Sequence, residues 1–125
     1  MTIPESQPLQ DEAKTHMARH DWASAIPFLE RDIIEHPLDP WSRMFLGNCH
    51  HELKNFDTAL EHFRAAEALT PGESTPVGCQ GDVLCSTGDW EAAGEFYRRA
   101  LEMNPDDELA IKNWKWWNGE MAKDT

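Results

Sequence analysis

Positive charge is scarce in this chain. Eleven Lys and Arg stand against 23 Asp and Glu, giving a net charge of −12 over 125 residues. The deficit is not a tail: residues 1–37 carry −4, 38–71 carry −2, 72–105 carry −4 and 106–125 carry −2. A nucleic-acid binder displaces counterions with a basic footprint, and no segment supplies one. Anionic membranes and strongly acidic peptides are disfavoured as partners for the same reason. A basic, neutral or apolar partner fits better.

Other absences narrow the class further. Three cysteines without framework spacing argue against a secreted disulfide scaffold and point to a reducing compartment. Met1 to Glu12 lacks the charged-then-apolar order of a signal peptide, and unbroken apolar runs are only a few residues long, too short to span a bilayer. A cytoplasmic location without membrane contact is the expectation. No CxxC or HExxH occurs, and Gly78-Cys79-Gln80-Gly81-Asp82 has neither the preceding strand nor the Lys of a phosphate loop. Neither an enzyme nor a resident cofactor or metal is expected.

What is present is a period. Pro37, Pro71 and Pro105 stand 34 residues apart, as do Ala25, Ala59 and Ala93. The same interval relates Trp22, Phe56 and Trp90, the large column Leu29, Phe63 and Tyr97, and the small column Ala13, Gly47 and Gly81. Fixed self-similarity of this length marks a repeat architecture.

The middle period shows the physics. Asp39 is a good N-cap, and Pro40 follows at the first helical position, where its missing N–H costs nothing. A first helix over Pro40–Leu53 breaks at Lys54-Asn55. A second runs over Phe56–Leu69, with Phe56, Ala59, Leu60, Phe63, Ala66 and Leu69 at the three-and-four spacing of a half-buried face. Thr70-Pro71-Gly72 stops it. Gly47 and Ala59 let the two helices approach closely.

The pattern Leu46-Gly47, Ala59, Phe63, Pro71, then Gly81, Thr87-Gly88-Asp89-Trp90, Ala93, Tyr97, Ala100 and Pro105, resembles tetratricopeptide repeats. The resemblance covers roughly Leu9 to Pro105. It implies an all-α fold, a right-handed superhelical solenoid of antiparallel helix pairs with about seven helices, and a role in protein–protein recognition. The expected layout is a tail at 1–7, repeats at 8–37, 38–71 and 72–105, a capping helix at 106–122 and a tail at 123–125, in one domain. Asp106-Asp107-Glu108 opens the last helix with charge that suits its dipole, and Leu109, Ile111, Trp114 and Trp117 give it an apolar stripe.

Departures from the family pattern carry expectations of their own. Glu12 and Gln80 replace Leu46 in its column, so the outer first helices pack less apolar surface. Pro27 should kink its helix or shift its start. Gly78 and Gly81 weaken the third first helix.

The resemblance also places a partner-binding concave face on the first helix of each pair. The residues expected there are Lys14, Trp41, Met44, Phe45, Asn48, His51, Cys79, Asp82 and Trp116. Trp41, Met44 and Phe45 form an apolar cluster on a face that need not be buried, beside the room left by Gly78. One subclass of the family grips chaperone C-terminal carboxylates with a Lys, Asn and Arg clamp. Here Phe45, Thr75 and Cys79 stand where its Asn, Lys and Arg belong, so that ligand is not expected. His16 and His20, four apart, could form a metal pair, but structural and surface roles account better for the His and Cys residues. The leading function is an adaptor or assembly factor for another protein or peptide. Self-association into a homo-oligomer is the alternative, and metal or redox sensing ranks below both.

Overall fold

A computed structural model describes residues 7–123. Seven α-helices, and no strand among the described residues, follow in order: α1 (Gln7–Ala18), α2 (Trp22–Glu35), α3 (Pro40–Glu52), α4 (Phe56–Leu69), α5 (Thr75–Ser86), α6 (Trp90–Met103) and α7 (Glu108–Ala122). They fall into two compact units, α1–α4 ending at Leu69 and α5–α7 beginning at Thr70. The tails expected at 1–7 and 123–125 lie outside the described residues except for Gln7, which opens α1, and Lys123, which caps α7.

Within each pair the helices are joined by the same turn. His20, Lys54 and Gly88 sit at φ 59°, 66° and 84°, one residue per period. Each reverses the chain in the left-handed region, which glycine enters most cheaply. The following N–H then reaches back across the helix end: Asp21 to the His16 carbonyl at 2.9 Å, Asn55 to His50 at 2.7 Å and Asp89 to Leu84 at 2.9 Å. This is the Schellman closure. It also separates His16 from His20. The helix ends before His20, whose ring packs edge-on against Trp22 while His16 stacks on Phe28, so the two imidazoles take separate places.

Large residues on small ones hold the pairs together. A Cβ built on Gly47 would lie 2.5 Å from the Phe63 ring, and one on Gly81 would lie 2.7 Å from the Tyr97 ring. In α1 and α2 the smaller Leu29 shares a buried cluster with Ala13, Ala25, Leu46 and Cys49. The column of large residues thus sits on the column of small ones, and where the ring is aromatic the facing residue has no side chain. Gln80 is buried in its column, its amide donating to the Pro76 carbonyl at 3.1 Å, while Glu12 is exposed. Pro27 lies inside α2, which still begins at Trp22, directly after its Asp21 cap. The start has not shifted, because Ala23, whose carbonyl loses its bond at Pro27, is exposed to water.

The first unit also buries a polar network that apolar periodicity gave no hint of. Asp32 on α2 is 0% exposed. Its carboxylate accepts from the Ser42 hydroxyl and from the Gln10 amide at 3.3 Å, and pairs with His36 Nδ1 at 2.9 Å. Gln10 also donates to Asp39 at 3.1 Å, and Asp39 caps α3 by accepting from the Trp41 N–H at 2.9 Å. α1, α2 and α3 are thereby tied by a charge that water cannot reach. Such a group is tolerated only when fully paired.

In the second unit α7 docks through Trp117. Its ring occupies the space over Gly94, where a Cβ would lie 2.3 Å away, and its indole N–H donates to the Trp90 carbonyl at 2.8 Å. Trp114 stacks on the same ring at 5.4 Å.

Two outcomes follow for urea unfolding. Gly94→Ala should cost about 1–3 kcal/mol by pushing Trp117 out, whereas Gly78→Ala, whose Cβ would meet only Asn113 Nδ2 at an ordinary 3.7 Å, should gain up to about 1 kcal/mol of helix propensity. Equal effects of one sign would contradict the packing described. Separately, Lys54→Gly should raise stability by up to about 1 kcal/mol, because it relieves left-handed backbone strain at an exposed turn. A loss in the same assay would show that the turn is held by its side chain.

Candidate functional site

α1 and α3 present an aromatic shelf in the first unit. Trp41, in the first turn of α3, is 57% exposed and stacks on Phe45 with ring centroids 6.0 Å apart. A Trp on the surface requires a reason, since its area is costly to leave in water. The Asp39 cap and Pro40 start the helix so that Trp41 and Phe45, four residues apart, share a face. Phe45 is half-buried against the core, and Lys14 of α1 places its ammonium 5.3 Å from the Phe45 ring centre. Asn48, one turn further along α3, is partly exposed. Lys14, Trp41 and Phe45 are therefore brought together, with Asn48 next along the helix.

Two residues expected on this face are placed elsewhere. Met44 is only 7% exposed. It lies one turn before Gly47, on the packed stripe of α3, so the apolar cluster at the surface is Trp41 with Phe45 and not all three. His51 sits near the end of α3 with its ring edge-on to Phe56 at 5.8 Å, so it belongs to the turn into α4.

On the other side of the pair is a second cluster. His62 of α4 stacks on His50 at 5.5 Å, and Arg43 Nη1 stands 3.4 Å from His62 Nδ1. Burial first, then the charges of Arg43 and His50, push the His62 imidazole down to about 4. Both neighbours are basic, so the site resists a further proton.

In the second unit Cys79 and Asp82 line a small cleft between α5 and α7, together with Gly78, Ala110 and Asn113. Burial, then the charge of Asp82, pushes the Cys79 thiol up to about 12. Cys49 is pushed up to about 11 by burial and Glu52. The thiolate is the reactive form, so neither residue is poised for redox chemistry at neutral pH. Asp82 accepts from the Tyr97 hydroxyl at 2.5 Å and so anchors the same ring that sits on Gly81. Trp116, 46% exposed, packs against Trp90 of α6 at 5.7 Å, because its neighbour Trp117 takes up the docking position over Gly94. No group of three or more His, Cys, Asp or Glu able to hold a metal occurs among the described residues, and no helix among them is long and apolar enough to cross a membrane.

Sequence reasoning missed the Asp32 network that supports the start of α3. The signal was available in the repeat columns: Asp32 stands where later periods have Ala66 and Ala100, and a carboxylate in a column of small buried residues must find partners.

The repeat geometry agrees with what is known of other chains. Residues 11–74 match a tetratricopeptide repeat family model, and residues 80–111 match a second tetratricopeptide repeat model. This chain belongs to the tetratricopeptide repeat family. Its all-α fold of helix pairs is that of the family. A curated relative, the mouse protein O-mannosyl-transferase TMTC1, is 28% identical over 102 residues covering 78% of this chain, which spans only 11% of that relative's length. Among solved structures, the first TPR of Spaghetti (RPAP3) bound to the HSP90 peptide SRMEEVD is 18% identical, with a TM-score of 0.82 over 98% of this chain and 97% of that one. The Sgt2 TPR domain from Aspergillus fumigatus is 19% identical, with a TM-score of 0.84 over 96% and 81%. YrrB, described as a TPR protein with an unusual peptide-binding site, is 22% identical, with a TM-score of 0.81 over 90% and 58%. At these identities the likeness is one of fold.

The His62 environment predicts a pH effect with a definite sign. Unfolded, the imidazole takes a proton near pH 6.5; folded, it resists until about 4. Between those values the unfolded chain binds more protons, so the His62 contribution is full above pH 6.5 and is lost as pH falls through 4. The stability difference between wild type and His62→Gln, from urea unfolding at a series of pH values, should shift against the wild type over that window. A difference that stays flat would mean that His62 protonates freely in the fold.

Proposed function

We propose that this chain is a protein-interaction module whose working surface includes the Lys14, Trp41 and Phe45 shelf, and that it docks an apolar or amphipathic segment of another protein. The observation that carries this reading is Trp41, a large ring more than half exposed and stacked on a half-buried partner. Interface energy concentrates in such rigid aromatic anchors, and α3 holds this one ready, so little ordering cost remains on binding. Family membership supports the same class of function.

The chaperone-peptide ligand of the RPAP3 neighbour does not carry over residue by residue. That peptide is acidic, this chain is strongly acidic, and Phe45, Thr75 and Cys79 occupy positions where the resemblance would require Asn, Lys and Arg. A second reading, self-association, is favoured by Ile34 and Leu38, which are 79% and 80% exposed close in sequence to Trp41.

Affinity capture with the wild type beside Trp41→Ala tests the shelf. Trp41 is outside the core, so the variant should unfold within about 0.5 kcal/mol of the wild type, while a captured partner should bind it more weakly by about 2 kcal/mol or more. A partner held equally by both would remove the shelf from the binding surface. A concentration-dependent mass that Trp41→Ala abolishes would favour self-association.

A further inference from the structure

We propose that Arg43, His50 and His62 form a site for the carboxylate of an Asp or Glu side chain on a partner protein. At 100° per residue, Arg43 and His50 lie on the side of α3 away from Trp41 and Phe45. The cluster is therefore a second contact region, separate from the aromatic shelf. That the carboxylate belongs to a protein rests on the interaction-module reading; that the cluster takes a carboxylate does not.

The repeat columns set this cluster apart. Where the middle period has Arg43, His50 and His62, the first has Leu9, His16 and Phe28, and the third has Val77, Leu84 and Phe96. In the third period these columns are apolar: Val77 is fully buried and Phe96 packs against its cluster. In the first, His16 stacks on Phe28 at 5.6 Å. The middle period keeps that stack, His50 on His62 at 5.5 Å, but makes both rings imidazoles and sets Arg43 Nη1 3.4 Å from His62 Nδ1. All three residues are partly exposed. Apolar packing is given up along this seam, at a cost in stability, and basic groups stand in its place.

What the cluster has to offer is donors. Guanidinium and amide nitrogens carry hydrogens and cannot accept. His62 Nδ1 therefore accepts from Arg43, and His50 Nδ1 accepts from Asn55 Nδ2 at 3.3 Å. Each neutral ring then holds its hydrogen on Nε2. Arg43 has five N–H groups, yet no carboxylate pairs with it among the described residues, in a chain with 23 Asp and Glu. Burial, then the charges of Arg43 and His50, hold the His62 imidazole down at about 4, with no acidic group acting against them. Donors at positive local potential suit an anion, and the two oxygens of a carboxylate match the guanidinium fork. A cation would be repelled, and an apolar group would leave the donors unpaired. The net charge of the chain opposes a long acidic peptide more than one carboxylate in contact, because physiological salt screens exposed charges beyond about 8 Å.

The test titrates the full chain with blocked peptides, acetyl-Ala-X-Ala-amide with X as Glu, Gln or Lys, and separately with inorganic phosphate. Histidine ring and Arg43 side-chain NMR signals are followed. The Glu peptide should shift Arg43, His50 and His62 saturably, and less as salt is raised. The Gln and Lys peptides should not. Because a bound carboxylate favours the charged imidazole, saturating Glu peptide should raise the His62 midpoint from about 4 by about half a pH unit or more. Arg43→Leu and His62→Phe restore residues of the flanking periods, so both should fold in a urea assay and weaken the Glu peptide about threefold or more. Trp41→Ala should leave that affinity unchanged. No saturable Glu shift, a Gln peptide bound equally, an unmoved His62 midpoint, or full affinity in the folded Arg43→Leu chain would each overturn the proposal. So would loss of the peptide in Trp41→Ala, which would place it on the shelf, or phosphate binding without the Glu peptide, which would make this a free-anion site.

Discussion

Everything in this structure depends on how closely two helices of a pair can approach. The large residue on the second helix must sit where the first helix has almost no side chain. Phe63 meets Gly47 and Tyr97 meets Gly81 at distances that leave no room for a methyl group, and Trp117 repeats the arrangement on Gly94 to bring in α7. Leu29 is smaller and faces Ala13 within the same buried cluster. Size on one column is compensated by absence on the other, as close packing of interiors demands. The left-handed turns at His20, Lys54 and Gly88 serve the same end, since each returns the chain over the required distance in three residues.

The polar network of the first unit is a second constraint of a different kind. Apolar contact tolerates sliding; a buried carboxylate does not. Asp32 must meet Ser42, Gln10 and His36 together, and Gln10 must also reach Asp39. Asp39 is at the same time the cap of α3, so the network sets the point at which that helix begins. Trp41 is two residues further on. The exposed shelf therefore inherits its position from a buried charge, and the energy that keeps that charge paired also holds an aromatic anchor in place.

Most of the fold was legible because packing leaves a period in the chain. The α4 limits, the Asp39–Pro40 start of α3 and the acidic start of α7 could be read from caps, prolines and apolar spacing. The site was legible only in part. Face assignment on a helix turns on single residues, and 3.6 residues per turn leaves neighbours such as Met44 and Phe45 100° apart. One proved buried and the other half-exposed. His51 was misplaced for a similar reason: its ring lies edge-on to Phe56 at the turn into α4. Asp32 escaped notice because only His36 lies within a turn of it, while Gln10 and Ser42 come from α1 and α3.

The two units show how one scaffold can offer unlike surfaces. The equivalent positions of consecutive periods hold Gln10, Met44 and Gly78. In the first unit this column is filled, by a network donor and a packed thioether. In the second it carries no side chain, and Asn113 of α7 stands where an added methyl group would meet it at ordinary contact distance. The same column logic that makes Gly47 and Gly81 structural makes Gly78 different, for it faces a polar amide at ordinary distance and not an aromatic ring pressed against it. A glycine that packing does not require, on a helix that glycine weakens, has a cost without a structural return.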